Sequence, residues 1–262
     1  MRQRLNGNAH WMVVLCVVVC LCMGAFGCDD TSSDAAKLED ARIAIDNGQY
    51  DRALDILSAM GGKEVLEVRA SANAGKAGIN TFDILGELDD ASDTNGFDIV
   101  GKMLGTGETN TLTLAQIKAK SGSMDLAKQN LLDSVGGHAE RLDDDGKTQL
   151  AIFALTDTVL IVGDILFKTP DYNLQGEGAK ITLTKEWLDA NVKAIDSTYS
   201  HINPTPYLPQ LDKNIKHIGD AIPVLKGDND LAEEFTEFQN EIGGQDNAIT
   251  AGELKTYLAE KL

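Results

Sequence analysis

Apolar positions fall in three patterns along this chain. Trp11 to Phe26 is an unbroken apolar block near the N-terminus. From Leu38 to about Leu131 the apolar residues are mostly spaced three and four apart, the period of a helix with one buried face. Gln149 to Lys168 is dense again, interrupted only by Thr156, Asp157, Thr158 and Asp164. Those polar residues make it a poor bilayer span and a good central helix.

The rows at helical spacing predict paired helices. Ala41, Ile43, Ala44 and Ile45 form one face, Asn47-Gly48 breaks the helix, and Tyr50, Ala53, Leu54 and Leu57 begin the next. Glycine supplies the turn conformation, and Ala53 lets two backbones approach closely. Glu64 to Lys76 reads as a further helix, Ala77-Gly78 as a break and Phe82 to Leu88 as its return partner. A second copy of the first hairpin is read 74 residues later, where Ala115, Ile117, Gly122, Asp125, Ala127 and Leu131 align with Ala41, Ile43, Gly48, Asp51, Ala53 and Leu57. Residues 89–112 are a loop insertion rich in Asp, Gly and Thr. Thr169 to Gly178 is a loop, and Thr184 to Tyr199 a helix around Trp187, Leu188, Val192 and Ile195. Pro204, Pro206 and Pro209 end any helix and stiffen the chain, as a linker or as an extended segment that binds a partner. Asp230 to Leu262 reads as a helix, a Gly-rich turn and a helix.

The order Ala, Asn-Gly-x-Tyr, Ala, Leu within residues 38–60 resembles the core of a tetratricopeptide repeat, without that repeat's Trp-Leu-Gly opening. The resemblance implies an all-α fold of antiparallel helical hairpins over residues 38–168, followed by a helical C-terminal region at 183–262. Arrays of such hairpins expose a concave face suited to peptides or helices, so the inner-helix alanines Ala41, Ala44, Ala70, Ala74 and Ala115 are the expected partner-binding surface.

The first apolar block sets location. It is sixteen residues long, whereas a spanning helix needs about 20. Arg2 and Arg4 precede it, and Asp29-Asp30 follows, which is the plan of a secretory leader over residues 1–27. The segment Ala25-Phe26-Gly27-Cys28 resembles a bacterial lipobox, which implies Cys28 as the lipidated first mature residue and 28–37 as a polar tether. All four cysteines lie at or before Cys28, so the mature chain has no disulfide framework. These readings place the protein at a bacterial membrane of the cell envelope, on the periplasmic side or the cell surface.

Charge narrows the partners. The chain carries −18 at pH 7, and its leader holds two arginines and no acid, so the mature part is more acidic still. Such a surface argues against nucleic acid and anionic lipid headgroups, and fits cationic partners or divalent metal. The low aromatic content of 5% suits helices packed through small residues better than a β-sandwich.

Candidate chemistry is sparse. Asp157 and Asp164, seven apart, share one helix face; they read either as a carboxylate pair lining a groove for a cation or as a wetted stripe on a buried helix. Near the C-terminus, aligning Ile249 with the central apolar residue of an EF-hand loop puts Asp246 and Glu253 at ligand positions. Ile242 then occupies the first ligand position, where an oxygen is needed, so the turn reads as a degenerate, structural EF-hand-like hairpin. His138, His201 and His217 have no zinc-type spacing, and Gly-x-Ser-x-Gly, Walker-type and Gly-x-Gly-x-x-Gly motifs are absent. Asp143-Asp144-Asp145 reads as a solvated loop. The expectation is a non-enzymatic, cofactor-free, lipid-anchored scaffold or adaptor for other envelope proteins. The alternative is a periplasmic solute- or metal-binding accessory subunit, for example of a transporter.

Overall fold

The computed structural model describes residues 33–79, 104, 111–168, 180–183, 204–225, 231–243 and 248–261. The leader, Cys28, the return partner expected at 82–88, the loop expected at 169–178 and the helix expected at 184–199 lie outside them, as does most of the insertion expected at 89–112, of which Leu104 is helical and Leu112 lies in a short strand.

Helix α1 (Asp34–Asp46) starts earlier than a tether ending at Lys37 allows, because Ser33 caps it by accepting from the Ala36 amide at 3.3 Å. It ends where expected. Asn47 Nδ2 donates to the Ile43 carbonyl at 2.7 Å, and Gly48 takes φ +69°, a left-handed conformation that few other residues adopt. Helix α2 (Tyr50–Leu57) then folds back on α1, and α3 (Lys63–Lys76) packs on both. These three helices hold a small core of Leu38, Ala41, Ala44, Ala53, Leu57 and neighbouring residues of α3. Ile43, expected on the apolar face, points outward and is 49% exposed.

The second hairpin copy does not form. Residues 114–133 are one continuous helix, α4 (Leu114–Asp133), with Gly122 inside it. Gly122 lacks what stops α1: the asparagine that caps the preceding carbonyl. A lone glycine costs a helix interior only about 1 kcal/mol relative to alanine. A Thr113–Gln116 capping box starts α4, and Leu112–Thr113 (β1) pairs antiparallel with Lys180–Ile181 (β2).

Asp143 caps α5 (Asp144–Phe167), accepting from the Gly146 amide at 2.9 Å. The three consecutive aspartates are thus a cap and a first helical turn, where their charge complements the positive end of the helix dipole. A helix apolar on all sides is either a membrane span or a core helix. Here 94% of the most hydrophobic window of α5 is buried inside the protein.

The prolines begin a helix. Thr205–Tyr207 is a single 3-10 turn, and α6 (Leu208–Leu225) follows at once with Pro209 in its first turn, where a missing amide costs nothing. Among the described residues helix α6 packs more extensively on α5 than any other pair of elements packs, and α7 (Leu231–Gly243) packs on α6. Helix α8 (Ala251–Lys261) follows α7, with Phe238 and Tyr257 edge to face at 6.2 Å. One apolar core runs from Ala70 in α3 through α4, α5 and α6 to Tyr257 in α8. Phe167, Ile181 and Leu183, on either side of residues 169–179, belong to this one core. The architecture is all-α, with eight helices and one two-residue ladder among the described residues.

Candidate functional site

Two kinds of polar assembly are built on this frame, one sealed and one open. The sealed one centres on Asp157, which is 0% exposed in the middle of α5. Its Oδ2 accepts from Lys128 Nζ at 2.5 Å, Asn214 Nδ2 at 2.8 Å and Gln210 Nε2 at 2.9 Å. Its Oδ1 accepts from Ser121 Oγ at 3.0 Å. Lys128 also donates to Asn214 Oδ1 at 2.8 Å and lies 3.3 Å from Asp125 at the surface end of the cluster. Asn214 Nδ2 reaches Thr158 Oγ1 at 3.2 Å. The carboxylate accepts four hydrogen bonds and the ammonium faces three oxygens, so three helices are joined at one point. Burial, then repulsion from Asp157, raises the Asp125 carboxyl above the usual carboxylate range.

Asp164 has separate partners. Its Oδ2 accepts from Lys168 Nζ and from the Tyr207 hydroxyl, both at 2.5 Å, while Oδ1 has no partner among the described residues. The two aspartates thus share a helix face and no ligand. Asp157 is fully buried and not wetted, whereas Asp164 is partly buried and pairs with the half-exposed Lys168.

Two further cations close helix ends. Arg69 of α3 donates to the carbonyls of Leu57 and, at 3.0 Å, Met60 at the end of α2. Buried Lys120 of α4 donates to the Ala77 carbonyl that ends α3, at 2.5 Å, and burial lowers its pKa. Both place positive charge at the negative end of a helix dipole. His217, one turn beyond Asn214 on α6, is lowered to about 4 by burial and then by the nearby charge of Lys128.

The open assembly is a cleft of about 710 Å³ between α1–α3 and the elbow joining α4 to α5. Val68, Ile79 and Leu131 supply apolar wall, and Tyr50 stands at one side with its ring over Gly75. A Cβ on Gly75 would lie 2.1 Å from that ring, so only glycine admits it. The charged lining is five carboxylates, Asp46, Glu64, Glu67, Asp143 and Asp145, against the single cation Arg42. Arg42 is taken by Glu64 at 2.5 Å, Glu67 faces Lys63 at 3.6 Å, and Asp143 is the cap of α5. Asp46 and Asp145 have no ion pair among the described residues.

The expected alanine face is not a surface. Ala41 and Ala44 are buried in the small core and Ala70 and Ala74 in the large one, because their lack of bulk is used to bring helices together. Ala115 is exposed on its own on α4. Of the EF-hand positions, Asp246 lies outside the described residues. Glu253 Oε2 accepts from the Thr250 amide at 2.8 Å while Thr250 Oγ1 accepts from the Glu253 amide at 3.2 Å. Its carboxylate is one half of a capping box for α8, a Thr-x-x-Glu signature legible in the sequence. Among the described residues no group of three or more His, Cys, Asp or Glu side chains is placed to hold a metal ion.

The residues that partner Asp157 carried a fainter signal. Lys120 and Lys128 fall on the same helical row as Ile117, Met124, Ala127 and Leu131, and a lysine on an apolar row needs a buried partner. Nothing in the spacing pointed to Asn214 or Gln210. Comparison with models of protein families, with curated proteins and with solved structures finds no match to this chain.

Proposed function

We propose that this protein is held at a bacterial envelope membrane by lipid on Cys28 and acts there as an interaction module, its cleft receiving a cationic segment of another envelope protein. The observation that carries the reading is the cleft lining: five carboxylates, one cation already paired, and an apolar wall. A chain bearing Lys or Arg beside aliphatic residues matches that mixture, with charge setting encounter and apolar contact supplying retention. The net charge of −18 supports a positively charged partner over nucleic acid. No motif for catalysis accompanies the cleft in the sequence.

The test is fluorescence anisotropy of a labelled peptide alternating Lys and Leu, titrated with the mature protein and with the variant Asp46→Lys/Asp145→Lys. Binding that weakens by about tenfold or more in the variant and falls with salt supports the reading. Equal binding to both proteins overturns it. The anchor is tested separately, by intact mass of membrane-extracted wild type beside Cys28→Ala; an unmodified wild-type chain would remove the membrane from the proposal and leave the cleft untouched.

A further inference from the structure

The turn between α1 and α2 carries Asn47-Gly48, a side-chain amide followed by a residue with no side chain to shield its own nitrogen. Asparagine is chemically labile, and most of all in this pair. The glycine nitrogen, giving up its proton, bonds to the asparagine Cγ, and the side-chain nitrogen leaves as ammonia. Water then opens the five-membered imide to aspartate or isoaspartate. Ring closure needs a side-chain amide free to turn, a glycine nitrogen free to attack, and that nitrogen on the Cβ side of the Asn47 Cα–C bond. The fold withholds all three. Asn47 Nδ2 donates to the Ile43 carbonyl at 2.7 Å, and the Gly48 amide donates to the Ile45 carbonyl at 2.8 Å. Asn47 has ψ 7°, which turns Gly48 N toward the amide nitrogen of Asn47 and away from its Cβ. Rotating ψ would also break the bond from the Gln49 amide to the Ala44 carbonyl, 2.8 Å long.

We propose that Asn47 is a deamidation site which the folded hairpin keeps shut, converting only when α1 and α2 part. Asn47 is exposed, so solvent and base reach it and conformation alone protects it. Ala44 and Ala53, on either side of the turn, are both buried in the small core, so the turn cannot rotate while both stay packed. Conversion works in one direction. An aspartate at position 47 has no N–H for the Ile43 carbonyl, and it sets a second negative charge beside Asp46 at the negative end of α1. Isoaspartate also lengthens the main chain by one methylene, so Gly48 no longer lies in register to end the helix. Each opening that ends in conversion leaves a hairpin that closes less well. Asp46 and Tyr50 flank the turn and line the cleft, so conversion loosens that wall too. The site stands whether or not a peptide binds there.

The test is the rate at which Asn47 converts in mildly alkaline buffer, in the full mature protein and in a synthetic peptide of residues 43–52. Cleavage after Arg42 and Arg52 releases that same segment from the protein, and mass mapping with separation of the isoaspartyl form reads both samples alike. Conversion should be at least about tenfold slower in the protein than in the peptide, because it waits on opening of the hairpin. Leu57→Ala, which weakens the small core, should speed it by about tenfold or more, with the peptide's rate as the ceiling. A variant too unstable to hold the module folded should simply reach that ceiling. Asn47→Asp, a mimic of one product, should exchange the amides of residues 34–57 faster than wild type. Three outcomes overturn the proposal: equal rates in protein and peptide, no acceleration in Leu57→Ala, or unchanged exchange in Asn47→Asp.

Discussion

The α1–α3 module and the body built around α5 place charge in opposite ways. In the module the ion pairs lie outside: Arg42–Glu64 at 2.5 Å and Lys76–Asp51 at 2.6 Å join groups at least 43% exposed. Its small core is built of alanine, leucine and valine. In the body, a lysine, an aspartate and an asparagine are inserted into the apolar core and joined there. The difference separates two ways of specifying a helix packing. Small residues let α1, α2 and α3 approach at several registers, and the turn at Gly48 and the ring of Tyr50 over Gly75 select one. Around α5, which is apolar on nearly every side, the hydrophobic term alone has little rotational preference. The Asp157 network gives one rotation of α5 against α4 and α6 in which all its hydrogen bonds are made.

The largest effect should come from breaking that network on one side. Lys128→Met leaves the Asp157 carboxylate buried without its counter-charge, and urea unfolding should show a loss of about 3–5 kcal/mol. Replacing both residues, Lys128→Met with Asp157→Leu, should recover much of that loss, since an apolar pair of similar volume avoids the unpaired charge. If the double variant is as unstable as the single one, the network contributes more than charge balance. If Lys128→Met is neutral, the distinction drawn between body and module fails.

The module should yield next, and locally. Leu57→Ala removes a fully buried side chain from the small core and should cost about 2–5 kcal/mol there. Because α1 and α2 share little with the large core, the effect should appear in hydrogen exchange as faster opening of residues 34–57, with the amides of α5 unchanged. Equal acceleration in α5 would mean that the two regions unfold as one.

Much of this division was legible in the sequence and part of it was not. The first hairpin, the helix at Glu64–Lys76 and the central helix follow from local rules: Asn-Gly as a stop, a 3.6-residue period, an apolar run of helix length. The second hairpin misled because Gly122 matches Gly48 in type while lacking a capping asparagine; one residue identity was read where the backbone responds to two. The prolines misled similarly, since Pro206 and Pro209 stop a helix from its interior and start one from its first turn. The alanines Ala41, Ala44, Ala70 and Ala74 mark close helix contacts, and their spacing alone does not distinguish a binding face from a packed one. Asn214 and Gln210 meet Asp157 across 57 and 53 residues of chain, a proximity that only the folded topology creates.

A smaller, pH-dependent effect separates the regions again. His217 of the body is held at about 4, below its ordinary value, whereas no histidine lies in α1–α3. Between about pH 6.5 and pH 4 the unfolded chain binds a proton that the folded His217 does not, so this residue makes stability fall as pH is lowered through that window. Asp125, raised by burial, acts in the opposite sense. The discriminating quantity is therefore the difference between wild type and His217→Gln in urea midpoint at pH 7 and pH 4.5. The variant should lose less stability than wild type on acidification. An identical loss would place the acid sensitivity on other groups.

The smallest effect belongs to the exposed pairs of the module. Arg42→Ala removes a contact of 2.5 Å to Glu64, shorter than many buried hydrogen bonds, and distance alone would rank it beside Lys128–Asp157. Exposure reverses that ranking. Both groups remain hydrated when unpaired, so the loss should be no more than about 1 kcal/mol and should shrink further in 0.5 M salt. The cleft should respond more than the fold does. Removing Arg42 leaves Glu64 unpaired beside the other carboxylates of the lining, and the cationic peptide should bind more tightly, by a few-fold at low ionic strength. A variant as unstable as Lys128→Met would show that the module also depends on charge for its packing. A variant of normal stability and tighter peptide binding would assign the surface pairs of α1–α3 to the cleft and the buried ones of α4–α6 to the fold.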